Sequence, residues 1–392
     1  MNATMRMLLA LVVMTAVAPT YALGQSQAPS IVIDRATGSV LAQNKPFNRW
    51  FPASLTKLMT VYVTMRALAS GEIAPGSPVT VSPRAAKEPP SKMGYPPGTS
   101  LRVDTALKIV IVKSANDIAI ALAESVGGSE PAFVARMNTE AKRLGMADTQ
   151  FANPNGLHDP AQFTTVRDMA LLARQILIEF PQYASYFSIP AISDNGKVES
   201  SFNLLLERFP GADGMKTGFV CASGYNMVAS ATRNGRQVIA VVFGTTSQTE
   251  RAVEGAKLLV KGFETASGPP LETLVRQGPP IPPRSQRQKI CSETAANQRV
   301  DLMPADMVIN SPLLSARVAG APVAISTGGV DSPASEAALT VSLAPKGRVP
   351  VPVRRPDAIA TRIDDAFAAS EVEQATNAGA PRIPVPERRP SQ

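Results

Sequence analysis

Phe51-Pro52-Ala53-Ser54-Leu55-Thr56-Lys57-Leu58-Met59-Thr60 opens a run whose apolar residues recur at helical spacing as far as Ala69. Pro52 breaks the preceding chain, so Ser54 falls in the first turn of the predicted helix. Ser54 and Lys57 stand three residues apart, which puts hydroxyl and amine on one helical face within reach of each other. A serine hydroxyl becomes a nucleophile only when a base takes its proton. An amine can be that base only when neutral, which demands burial or a neighbouring cation. Alone, S-x-x-K carries little weight, because a chain of 392 residues matches it about once by chance.

Upstream, Ile31-Val32-Ile33, the Ala36-Thr37-Gly38 turn and Val40-Leu41 predict a β-hairpin over residues 30–42. Downstream, apolar spacing near 3.6 predicts helices over 101–112, 117–126, 131–144 and 166–178. Strand-like runs follow at 215–221, 225–232 and 237–243, separated by Ala222-Ser223-Gly224 and by Asn234-Gly235. A last helix over 249–265 gathers Val253, Ala256, Leu259, Val260 and Phe263 on one face. Strands at both sequence ends with helices between predict an α/β (α+β) domain over residues 29–268, an antiparallel sheet flanked by helices.

Residues 269–392 change character. Pro269-Pro270, Pro279-Pro280 and Pro282-Pro283 lead into Ala, Pro, Val and Ser stretches without periodicity, predicting a largely disordered low-complexity tail. Two near-copies stand in it, Pro350-Val351-Pro352-Val353-Arg354-Arg355-Pro356 and Pro384-Val385-Pro386-Glu387-Arg388-Arg389-Pro390. Extended Pro-rich peptides dock in aromatic grooves, so an envelope protein is a candidate partner of this tail. At the other end, Arg6, the apolar run Met7 to Ala18 and small residues near Ala22 and Ala28 read as an export signal over residues 1–28. That run is short of the roughly 20 apolar residues that cross a bilayer. The expectation is an exported protein, periplasmic or associated with the cell wall.

Cys221 and Cys291 show no metal-ligand spacing, and the sequence leaves open whether they pair. A net charge of +8 favours anionic surfaces such as cell-wall polymers. No nucleic-acid recognition motif or aromatic-and-basic stripe accompanies it, so nucleic acid is not an expected partner.

Lys216-Thr217-Gly218 begins a predicted strand, where it offers a cation, a hydroxyl donor and a spot without a side chain. Three S-x-N matches compete. Ser193-Asp194-Asn195 runs into Gly196-Lys197, which is hairpin-turn chemistry, and Ser201-Phe202-Asn203 has no better context. Ser114-Ala115-Asn116 sits at a junction of two apolar helices, which fixes side chains better than a turn tip does. The single histidine, His158, lies in a loop with no G-x-S-x-G elbow anywhere, and is assigned a bracing role.

In chain order, Ser54-x-x-Lys57, Ser114-x-Asn116 and Lys216-Thr217-Gly218 resemble the three motifs of the penicillin-recognising serine enzymes. Within that group, residues 51–60, Asn153-Pro154-Asn155-Gly156-Leu157 and Asp213-Gly214-Met215-Lys216-Thr217-Gly218-Phe219 are similar to the low-molecular-mass D-alanyl-D-alanine carboxypeptidases. The resemblance implies a β-lactamase or penicillin-binding transpeptidase-like fold. It also implies an acyl-enzyme on Ser54, with Lys57 as base and with Ser114 and Asn116 relaying protons and positioning the substrate amide. Backbone N–H groups of Ser54 and Phe219 would form the oxyanion hole. Lys216 and Thr217, assisted by Arg251, would bind the terminal carboxylate of a peptidoglycan stem peptide, Gly218 would let the substrate approach the backbone, and Lys216 would also help keep Lys57 neutral by like-charge repulsion. β-Lactams would be covalent inhibitors, and no metal or cofactor is implied. A serine β-lactamase and a non-catalytic cell-wall binding protein are the alternatives. Many relatives carry a β-rich second domain and an amphipathic membrane anchor. The stretch after Pro269 has no regular strand alternation, and Ile359, Ile363 and Phe367 are flanked by acids, so no C-terminal anchor is expected.

Overall fold

Ile31, Val32 and Ile33 are all fully buried, which a strand achieves only when both faces of its sheet are covered. In the computed structural model, which describes residues 28–292 and 309–328, they belong to β1 (Ser30–Asp34), paired with β2 (Val40–Asn44). A short 3-10 turn, Ala53–Thr56, leads into α1 (Lys57–Ala69). Next come β3 (Pro78–Thr80), α2 (Pro83–Ala86), β4 (Ser100–Arg102), α3 (Val103–Val112), α4 (Asn116–Gly127), α5 (Glu130–Arg143) and α6 (Val166–Glu179). A small hairpin of β5 (Ala191–Asp194) and β6 (Lys197–Ser200) precedes the long strands β7 (Ala212–Val220), β8 (Gly224–Arg233) and β9 (Arg236–Thr245), then α7 (Gln248–Glu264). α8 (Arg287–Cys291) and β10 (Val323–Ile325) close the series.

The main sheet has the order β2-β1-β9-β8-β7, every pair antiparallel. Alternation sorts its side chains to two cores. Ile31, Ile33, Val228, Ile239 and Val241 meet the helices that the middle of the chain supplies, while Val32, Met227, Ala229, Val238 and Ala240 meet Ala252, Ala256 and Leu259 of α7. β7, which carries Lys216, is the edge strand. The predicted hairpin, the helices from 101 to 178, the three strands and the last helix all form where periodicity placed them. Ser193-Asp194-Asn195 does lie at a turn, with Asn195 and Gly196 both left-handed at φ 47° and 81°.

Packing does not stop at residue 268, where the composition changes. The Val40 amide donates to the Pro269 carbonyl at 2.8 Å and the Leu271 amide to Gly38 at 2.9 Å, and Leu271 is fully buried. Arg276 reaches Asp148 at 3.1 Å. Cys221 and Cys291 form a disulfide, seating α8 against the β7–β8 turn, where the Gln286 amide donates to Ala222. Farther on, Arg317 pairs with Glu207 and β10 adds in parallel to β5. Single residues such as Leu271 and Ile290 do this docking between prolines, so no periodicity announces it. The export signal, both Pro-rich copies and the Ile359 to Phe367 series lie outside the described residues.

Emptying the Leu271 site tests this docking. Leu271→Ala is expected to lower the unfolding free energy by about 2–4 kcal/mol, measured by urea denaturation, whereas an unchanged midpoint would mean that the segment does not pack.

Candidate active site

Ala53 has φ 51°, a left-handed conformation that costs a non-glycine residue on the order of 1 kcal/mol. That kink opens the 3-10 turn Ala53–Thr56 and places Ser54 as its second residue, ahead of α1. Neighbours hold the kink in place. Asn226 donates through Nδ2 to the carbonyls of Phe51 and Pro52, at 2.9 and 3.2 Å. Gly156, at φ 86°, passes so close that a side chain built there would stand 2.0 Å from the Ala53 carbonyl oxygen. On the opposite side, a side chain at Gly218 would stand 3.0 Å from the backbone nitrogens of Ser54 and Leu55. The glycine of K-T-G thus lets the edge strand approach the serine turn directly.

Lys57, one turn on, is fully buried. Its Nζ lies 3.1 Å from Ser54 Oγ, 2.7 Å from Asn116 Oδ1 and 2.5 Å from the Asn155 carbonyl. Burial disfavours the ammonium and brings the amine down to about 7, with Glu88 and Asp117 pulling the other way. Burial is the leading cause, one of the two the sequence allowed, and the repulsion expected between the two lysines shows on Lys216, whose charge Lys57 disfavours.

Ser114 and Asn116 come from the α3–α4 junction. Ser114 is left-handed at φ 62°, and its buried hydroxyl has no hydrogen-bond partner among the described residues. Asn116 is fixed through its amide to Ser91 at 2.7 Å and through Nδ2 to Pro89 at 2.9 Å, which aims Oδ1 at Lys57. From β7, Lys216 is buried, with Nζ 3.3 Å from the Thr217 carbonyl. Its charge is disfavoured first by burial, then by Lys57 and by Arg251. Arg251 on α7 is itself buried, donates to the Phe202 carbonyl at 2.8 Å and faces the Tyr225 ring. Phe219 packs its ring 4.3 Å from that of Tyr225. An amine pushed toward neutrality beside a serine hydroxyl, with two further cations close by, suits attack on a carbonyl whose substituent bears a negative charge.

Eight of the nine predicted positions thus fall on the serine turn, α1, the α3–α4 junction and β7, while the ninth, Arg251, stands on α7 and bears on Lys216. Ser193 and Ser201 do not take the S-x-N place: Asn195 is a turn residue, and Asn203 caps a 3-10 turn through Leu205. His158 packs edge-on against Phe51 at 4.7 Å, as a brace. Two participants were missed. Asn155 stood inside a quoted motif but was given no role, and its signal was the Asn-Pro-Asn-Gly spelling that makes a fixed loop. Glu88 gave no signal, since α2 is too short to show periodicity and its partners are 67 and four residues away.

A sequence profile of the family described as D-alanyl-D-alanine carboxypeptidase matches residues 14–247. The chain is 34% identical over 250 residues to D-alanyl-D-alanine carboxypeptidase DacF of Bacillus subtilis, covering 62% of this chain and 63% of that protein. It is 39% identical over 240 residues to D-alanyl-D-alanine carboxypeptidase DacC of Escherichia coli, covering 59% and 60%. It thus spans about three fifths of the length of these curated relatives. Among solved structures, penicillin binding protein 5 from Haemophilus influenzae superposes with a TM-score of 0.58 at 36% identity, over 61% of this chain and 70% of that one.

Because Lys57 must be uncharged to accept a proton, the rate at which an electrophile acylates Ser54 is expected to rise with pH and level off above about 7. Stopped-flow acylation across that range checks it; a rate already flat from acid to neutral pH would mean that Lys57 is not the base.

Proposed function

The chain belongs to the D-alanyl-D-alanine carboxypeptidase family, and from that membership we propose that Ser54 removes the terminal D-alanine from a peptidoglycan stem peptide through an acyl-enzyme. The observation that carries this reading is the buried Lys57 amine, brought down to about 7 and 3.1 Å from the Ser54 hydroxyl. Lys57 takes the Ser54 proton as Oγ attacks the carbonyl carbon of the penultimate D-alanine. Backbone N–H groups of Ser54 and Phe219 donate to the developing oxyanion, each donor worth roughly 3 kcal/mol. Collapse breaks the C–N bond as the proton Lys57 took from Ser54 passes through the Ser114 hydroxyl to the departing amine, which returns Lys57 to its neutral form, and water then cleaves the ester and restores the Ser54 hydroxyl. Asn116 holds the Lys57 amine and the substrate amide in register.

Specificity for a free terminus follows from Lys216, Thr217 and Arg251. A buried cation is costly in this dry site, as the lowered Lys216 indicates. An arriving carboxylate offsets that cost, and an internal peptide bond brings none. β-Lactams, which pair an electrophilic carbonyl with a carboxylate, are proposed to acylate the same hydroxyl. We place the protein outside the cytoplasm, in the periplasm or at the cell wall, a location that the Cys221–Cys291 disulfide supports.

Mass spectrometry of a defined pentapeptide incubated with the protein tests the reaction. Loss of one alanine is expected with the wild type, and a drop of at least about 10³-fold in Ser54→Ala. Rapid penicillin turnover with an inert peptide would identify a β-lactamase instead. Lys216→Gln is expected to lower kcat/KM for the pentapeptide by about 10-fold or more while leaving an uncharged ester analogue nearly unaffected.

A further inference from the structure

Glu88 is a buried carboxylate, 3% exposed, that the scheme above does not use. Both of its oxygens are engaged: Oε2 accepts from Asn155 Nδ2 at 2.7 Å, and Oε1 is paired with Arg84. Asn155 in turn accepts from the Leu157 amide through Oδ1 and presents its carbonyl oxygen to Lys57 Nζ. One residue therefore separates Glu88 from the amine. Its charge also reaches the amine through space, since Glu88 and Asp117 are the two carboxylates that favour the protonated form of Lys57.

The groups around this pair come from several elements. Lys57 is faced by Asp117 of α4, whose carboxylate accepts from the Met93 and Gly94 amides, and by Lys216 of β7. Glu88 is faced by Arg84 of α2 and by Glu130 of α5, and Arg84 is also within reach of Glu124 of α4. A neutral amide at position 88 could accept the same bond from Asn155. What a carboxylate adds is a field, and fields matter most where charge develops during reaction in a dry site. Burial alone makes an amine easy to free of its proton but weak as a base, and a general base works best when matched to the operating pH.

We propose that Glu88 is a positioning residue for acylation: through Asn155 it fixes the Lys57 amine against Ser54, and its buried charge stabilises the ammonium that forms when Lys57 takes the serine proton. This rests on the reading of Ser54 and Lys57 given above. The proton moves from Ser54 Oγ to Lys57 Nζ, and Glu88 takes no part in the transfer.

The experiment is the second-order rate of acylation by a fluorescent penicillin, followed from about pH 5 to 9, for wild type, Glu88→Gln, Glu88→Asp and Arg84→Gln. Glu88→Gln is expected to move the acid limb to lower pH and to lower the plateau by about 3- to 10-fold. Glu88→Asp, which keeps the charge, restores the limb. Arg84→Gln is expected to move the limb the other way, because it removes a cation that offsets Glu88. The Arg84 side chain is half exposed, so this variant carries the test if Glu88→Gln does not fold by circular dichroism. An acid limb that stays put in Glu88→Gln, or in Arg84→Gln where only that variant folds, overturns the proposal whatever happens to the plateau, since a purely structural role lowers the rate without moving the limb. Wild-type protein that is not acylated at all would remove the reading of Ser54 itself, and the role of Glu88 with it.

Discussion

The dry burial of one amine governs the rest of this molecule. In water, Lys57 would carry a proton near neutral pH and could take none from a serine. Its side chain is instead enclosed between the serine turn, the α3–α4 junction and the 153–157 loop, and its three close partners are oxygens, those of Ser54, Asn116 and Asn155. Those oxygens orient the free base without neutralising a cation by direct contact, which a carboxylate at the same distance would do. The two carboxylates that bear on the amine do so from farther out, a placement that moderates the effect of burial without reversing it.

Keeping the amine dry and aligned requires backbone conformations that local preference disfavours. Ala53 and Ser114 are both left-handed, and each precedes or carries a reacting group. Such conformations persist only where surrounding contacts over-determine them. Around Ala53 the contacts are the Asn226 amide, the close passage of Gly156 and an apolar cluster of Phe51, Ala53, Val220 and Ala222. Around Ser114 they are Ser91, whose hydroxyl donates to the Lys113 carbonyl, and the buried Lys113–Glu199 ion pair that ties the junction to β6.

This division explains which parts could be read from the sequence. Long helices announce themselves because burial of one face repeats along the chain, as in α7, and β1 because a short β-branched run is buried on both faces. Ser54 and Lys57 were legible because a helix brings residues three apart together, and Lys216 because strand, glycine and cation coincide. Ser114 emerged from its place between two helices, which ruled against the better spelling at Ser193. Glu88 was not legible, since its meaning comes from Asn155, 67 positions along the chain. The docked segment after residue 268 was hidden for a related reason: Leu271 and Ile290 are isolated anchors between prolines, and no window of sequence averages them into a pattern.

That docked segment also bears on the serine turn. Val220 and Ala222 flank Cys221 and pack on Phe51 and Ala53, which flank Pro52 and lead into Ser54. The disulfide fixes Cys291 to this point across 70 residues, and buried Ile290 packs beside Gly224 in the same β7–β8 turn. Trp50 closes the arrangement by donating its indole N–H to the Ser223 carbonyl at 2.9 Å. An edge strand is the member of a sheet most free to move, because one side lacks a partner. Here β7 is the edge strand, and it is held at its end by the disulfide and on its face by the serine turn. Residues of the stretch predicted to be largely disordered thus brace the edge strand that carries Lys216.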